Sequence, residues 1–228
     1  MLERKGIEHR LIELPPGSHA AALRVLGFRG GTVPALKLGG RRVQGSLQIS
    51  RALEEAQPEP RLFPADPRKR VEVERAELWG EGVVQEMPRL LARRSALRKR
   101  DQRSHMAREA RLPAPGVVGP LLLPVAWWFA HKVGATDDER VRGAVEELPT
   151  TLERVEELIE AGTLGGSEPN AADFQIAPSI RVLLSFEDLA PLFGDRAAAR
   201  YARSILPDYP TTVPGGRLPS EWLAPLRG

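Results

Sequence analysis

The sequence predicts two domains: a short mixed α/β unit over residues 1–57, a linker at 58–68, an all-α unit over 69–210 and a tail at 211–228. Three observations lead there. Strand-like and helix-like runs alternate within the first 56 residues. Residues 57–68, QPEPRLFPADPR, carry four prolines, through which a helix cannot run. Beyond them, apolar residues recur at helical spacing to about residue 205.

In chain order, residues 1–5 read as the end of a helix stopped by Gly6. Residues 7–14, IEHRLIEL, read as a strand, and Pro15-Pro16-Gly17 as a loop. Ser18 then caps a short helix over 19–26. A second strand begins at Val33-Pro34. Pro34 has no N–H for a ladder and biases Val33 to an extended shape, and a cis bond is available there. Gly39-Gly40 supplies two positions that accept positive φ, a two-residue hairpin signal, and residues 41–44 form the returning strand. Ser46 reads as the N-cap of a helix over 47–56, whose apolar face is Leu47, Ile49, Ala52 and Leu53. The free N–H groups of that helix start, the Ser46 hydroxyl and the helix dipole favour a carboxylate or phosphate, although a simple cap explains the same pattern.

After the linker, residues 71–91 suit a long helix bent by Gly80, Gly82 and Pro88. Residues 112–124 are expected to be irregular or kinked. Trp127, Trp128 and Phe129 read as a core-facing aromatic group. Asp137-Asp138 opens a helix expected to continue to 161 and stop at Gly162. Further helices are expected over 171–184 and 196–205, with the tail lying along the surface or fraying. In SEPNAADF, Asn170 is an N-cap and Asp173 stands three residues on. This is a capping box that explains Asp173 as a structural residue rather than a catalytic acid.

Composition narrows the function classes. The 228 residues are 42% hydrophobic and 28% charged, ordinary for a globular chain with a sizeable core. There is no cysteine, hence no disulfide framework, thiolate metal site or cysteine nucleophile. His9, His19, His105 and His131 are scattered without metal-ligand spacing, so no metal is expected. No apolar run reaches the roughly 20 residues of a membrane span, and the first ten residues lack a signal-peptide core. A cytoplasmic protein without membrane contact is expected. Net charge is +3, with Arg89, Arg93, Arg94, Arg98, Lys99, Arg100 and Arg103 crowded together. The run has no interleaved aromatics for base stacking. It reads as a solvated helix face, and nucleic acid is not an expected partner.

Taken together, VPAL with its Gly-Gly hairpin and GSLQISRALEE, then GGSEPNAADFQIAPSI on a later helix, resemble the glutathione S-transferase superfamily over residues 1–206. The resemblance implies an incomplete thioredoxin-like α/β N-terminal domain followed by an all-α helical bundle, usually as a homodimer. It implies glutathione as substrate: Val33 pairing its backbone with the cysteinyl part beside cis Pro34, and Gly45-Ser46 with the helix start holding the γ-glutamyl carboxylate. A hydrophobic co-substrate pocket would lie near Trp79 and Val83. The implied chemistry is attack of the glutathione thiolate on a hydrophobic electrophile.

Two departures shape the expectation. Gly45 stands where the family commonly has an acidic residue or Gln, and Gln44 would face the other side of its strand. The family's first strand and helix, which bring a Tyr, Ser or Cys to the thiol, have no counterpart here, so the catalytic residue is unassigned. The native chain is therefore expected to start upstream of Met1. The alternative reading is a non-catalytic binding or dimerisation module of the same fold.

Overall fold

The computed structural model describes residues 1–14, 18–98, 100–109, 112–209 and 211–227. The first turn ends as the sequence predicts. Gly6, at φ 62°, lets Ile7 N–H reach Leu2 O at 3.1 Å and Gly6 N–H reach Glu3 O at 2.9 Å. That is the glycine-terminated pattern of a helix end. Helix α1 is His19–Val25, and Ser18 precedes it without a side-chain cap bond.

The hairpin forms as predicted. Strands β1, Ala35–Leu38, and β2, Arg41–Gln44, pair antiparallel with Ala35 opposite Gln44 and Leu38 opposite Arg41. Gly39 and Gly40 both have positive φ, 54° and 84°, as a twist-matched two-residue turn requires. The Val33–Pro34 peptide is cis. Residues 7–14 depart from expectation. They are not in a strand, and among the described residues the sheet has only β1 and β2. A strand-like run alone does not make a strand. It needs a neighbour for its backbone groups, and β1 bonds β2 while a cleft separates it from 7–14.

Helix α2, Ser46–Ala56, carries the apolar face predicted for it, with Ile49, Ala52 and Leu53 buried. The linker is packed rather than loose. Leu62 and Phe63 are fully buried, Ala171 N–H donates to Leu62 O at 2.9 Å, and the Leu62 N–H donates to the Glu54 carboxylate at 2.9 Å. Lys5, itself buried, pairs with the same Glu54 and donates to Gln57 O at 2.6 Å. One carboxylate thus ties the first turn, α2 and the linker together.

Asp66 caps α3, Pro67–Trp79, by accepting the N–H groups of Arg68 and Lys69. The bend predicted near Gly80 is a π turn, Gly80–Val84, leading to α4, Glu86–Arg98. Next come α5, Arg100–Glu109, α6, Pro115–Leu121, and α7, Leu123–Lys132. The helix expected over 138–161 is two: α8, Asp138–Glu146, and α9, Leu148–Glu160. Pro149, in the first turn of α9, has no N–H to continue the ladder from α8. Then follow α10, Ala171–Leu184, α11, Ala190–Phe193, α12, Ala197–Ile205, and α13, Ser220–Leu223.

Helix α10 is the axis of the helical unit, packing against α3, the π turn, α4 and α12. Its capping box is complete: Asn170 Oδ1 accepts from Ala172 and Asp173, and Asp173 Oδ2 accepts from the Asn170 N–H at 2.8 Å. Asp173 is fully buried and also takes the Gly165 N–H at 2.9 Å, a second backbone contact beside the cap. Burial raises its pKa against the pull of these backbone donors. The Tyr201 hydroxyl sits beside it without reaching hydrogen-bond geometry. Burial, with the Asp173 charge, holds that phenol well above its ordinary value.

Three further expectations are corrected. Trp127 and Trp128 are 51% and 47% exposed, not in the core. Their helix turns Ala130 inward instead. The arginine run is not simply solvated. Arg94 is buried and pairs with Asp138, and Arg103 is buried with Nη1 donating to Ala96 O and Leu97 O. The side chains of Lys99, Arg100 and His105 lie outside the described residues. Finally, the tail is packed: Val213, Leu218, Trp222 and Leu223 are buried, Val213 bridges Phe186, and Asp188 accepts three tail N–H groups.

Candidate glutathione site

The residues singled out at the hairpin converge at one place. Val33 is half exposed, and its backbone N–H and C=O have no hydrogen bond among the described residues. They precede β1 at the mouth of a cleft of about 460 Å³ that runs between residues 7–14 and β1. The cleft is lined largely by aliphatic side chains, among them Ile7, Leu11, Leu14, Leu36 and Leu38.

Gly45 closes the other side. Its N–H donates to Pro34 O at 3.0 Å, joining the end of β2 to the residue after Val33. Its φ of 88° and ψ of 143° are open to glycine and costly for other residues. Gly45 is the N-cap of α2 and Ser46 the first helical residue, so the helix starts one residue earlier than the sequence suggested. The Ser46 hydroxyl makes no hydrogen bond among the described residues, and nor do the first-turn N–H groups of Ser46, Leu47 and Gln48. An eleven-residue helix therefore presents unsatisfied donors, a hydroxyl and the positive end of its dipole at the point where Val33 presents an unpaired peptide.

Gln44 has a role that sequence reasoning missed. It does not face the helix start. Its Oε1 accepts the Gly30 N–H at 2.7 Å, and its Nε2 donates to Gly30 O and Thr32 O at 3.1 and 3.2 Å. This pins the loop leading into Val33. The side-chain amide pairs with a backbone peptide as a strand would, and nothing in the local spacing reveals that partner.

Helix α2 is held against the helical unit by a polar contact that was also not anticipated. Ser50 donates to Glu77 Oε1 at 2.7 Å, and Arg51 pairs with Glu77 Oε2. Glu77 is 1% exposed. Burial raises its pKa, opposed by the hydrogen bonds from Arg51 and Ser50. A signal was present: Val73, Ala76, Glu77, Gly80 and Val84 fall on one helix face, so a charge stands on an apolar stripe and demands a partner.

The other singled-out residues lie apart. Trp79 lines a cleft of about 510 Å³ with Glu72, Arg75, Arg154 and Glu157, a mixed charged lining. Val83 is 39% exposed in the π turn and is not part of that lining. Asn170 and Asp173 are in the helical unit. No tyrosine adjoins Val33: Tyr201 packs beside Asp173, and Tyr209 stacks with Arg181. Among the described residues no cluster of side chains is arranged to hold a metal.

A hairpin feeding an open helix start, followed by a helical bundle, defines a thioredoxin-like domain joined to an all-α domain. Residues 1–61 match the family model for the glutathione S-transferase N-terminal domain, so this part of the chain is similar to that domain. No curated protein matches it. Among the described residues no helix is long and apolar enough to cross a membrane.

Proposed function

We propose that this protein binds glutathione between Val33 and Ser46 and presents its thiol to a hydrophobic electrophile. The observation that supports this best is the pairing of two unsatisfied features at one place: the Val33 peptide and the donor-rich start of α2. The first suits a peptide backbone laid alongside it. The second suits the γ-glutamyl carboxylate. Pro34 and Gly45 set the spacing between them, through the 3.0 Å bond from Gly45 N–H to Pro34 O. A homodimer in the cytoplasm completes the reading, and light scattering at twice 25.1 kDa tests the dimer.

Retention on immobilised glutathione is the first test. Ser46→Ala removes one hydrogen bond to a charged group and is expected to weaken binding by about 1.5–3 kcal/mol. Titration calorimetry reads this, with the melting temperature as the control for folding. Unchanged affinity in Ser46→Ala counts against this site.

A second reading, a non-catalytic binding module of the same fold, is favoured by the distance of both tyrosines from Val33 and by the absence of cysteine. Turnover of 1-chloro-2,4-dinitrobenzene separates the two. Acceleration over the uncatalysed rate supports a transferase. Retention on glutathione without acceleration supports the module.

A further inference from the structure

A second cavity, of about 190 Å³, lies among α4, α5 and α7 with His19 of α1 also in its lining, and neither Val33 nor Ser46 lines it. Leu112, Leu122, Val125 and Phe129 give it apolar walls, and Arg93 and Arg103 stand among them. No carboxylate is part of the lining. Such a cavity is too small for the roughly 300–1,000 Å³ typical of drug-sized ligands. It is also too cationic to be plain packing space.

Both arginines are incompletely satisfied. Arg103 is 9% exposed. Its Nη1 caps the end of α4 through Ala96 O at 2.9 Å and Leu97 O at 3.0 Å, while its Nε is buried with no hydrogen-bond partner. Arg93 is half-buried against the Phe129 ring, 4.9 Å from its centroid, and among the described residues it makes no ion pair or hydrogen bond. Neighbouring Arg89 adds repulsion, and desolvation with that repulsion lowers the Arg93 pKa. A buried donor without a partner and a desolvated cation without an anion each carry a free-energy cost. Other arginines of the same run are neutralised: Arg94 and Arg98 share Asp138.

We propose that this cavity binds a small apolar monocarboxylate, its hydrocarbon body against Phe129 and Val125 and its carboxylate between Arg93 and the free Nε of Arg103. A single negative charge matches the lining. A phosphate dianion would bring more acceptor oxygens than these two arginines satisfy. The inference does not depend on glutathione binding elsewhere in the chain.

Calorimetric titration of the full chain with octanoate, 1-octanol and inorganic phosphate tests it. Octanoate should bind saturably with one site per chain, and 1-octanol and phosphate at least about tenfold more weakly, as loss of a charged hydrogen bond implies. Arg93→Gln should weaken octanoate by about tenfold or more, and Arg93→Lys should restore most of the affinity. Methyl and aromatic NMR signals of Leu122, Val125 and Phe129 should move on titration. Equal binding of 1-octanol and octanoate overturns the proposal, as do unchanged affinity in Arg93→Gln, shifts confined to other residues, or no octanoate binding. Because the three probes are compared on the unaltered chain, the result stands even if a variant fails to fold.

Discussion

At the residue scale, Glu77 is the most consequential side chain outside the candidate site. It is buried between α2 and α3, and its contacts with Ser50 and Arg51 hold the helix that carries Ser46. Its folded pKa lies above the ordinary 4.5, chiefly because burial disfavours the charge. The folded state therefore binds this proton more tightly than the unfolded chain does. The contribution of Glu77 to stability rises as pH falls from neutral through the raised pKa, and levels off below 4.5. Glu77→Gln keeps a hydrogen-bonding group for Ser50 and removes the titration. The stability difference between wild type and Glu77→Gln should shift in favour of wild type as pH is lowered, as measured by urea unfolding at several pH values. A pH-independent difference would show that Glu77 does not titrate in this way. Its position on an apolar stripe was visible in the sequence, but Ser50, a helix away, was not identifiable as its partner.

At the scale of elements, local chemistry was legible where it was self-contained. The Gly39-Gly40 turn, the Gly6 and Gly162 helix stops and the Asn170–Asp173 capping box each depend on residues within five positions, and each forms. Elements that depend on distant partners were less legible. Residues 7–14 read as a strand but have no strand neighbour, and Trp127 and Trp128 lie on the exposed side of their helix. The π turn illustrates both. Gly80 and Gly82 signalled a bend, yet only the fold shows that they differ. A Cβ on Gly80 would stand 2.7 Å from Ile176 Cγ1 and 3.0 Å from Gln175 Cγ, whereas one on Gly82 meets open space. Gly80→Ala should cost about 1–3 kcal/mol by overpacking the π turn against α10. Gly82→Ala should be neutral or stabilise by up to about 1 kcal/mol. Thermal melts of the pair check this, and equal effects would contradict the close crossing.

At the scale of the whole molecule, the candidate site is assembled by the hairpin and α2 and held in place by the contacts behind them. Glu54 gathers Lys5, Leu62 and Phe63 on one side of α2, and Glu77 gathers Ser50 and Arg51 on the other. Glu54 thereby fastens the α/β unit to the linker, and Glu77 fastens it to the first helix of the bundle. The packed linker and the buried tail residues Val213, Leu218 and Trp222 extend this continuity along the helical unit. Val33, Pro34, Gly45 and Ser46 were named as candidates from the sequence because the hairpin segment that carries the resemblance is continuous along the chain. The two-arginine cavity was not, since it draws on α1, α4, α5 and α7.

The central claim is that glutathione lies between the Val33 peptide and the start of α2. Backbone amide NMR during titration with millimolar glutathione tests it most directly. The largest saturable shifts are predicted at Val33, Ser46, Leu47 and Gln48. Saturable shifts that spare these residues, or no shifts at all, would contradict it.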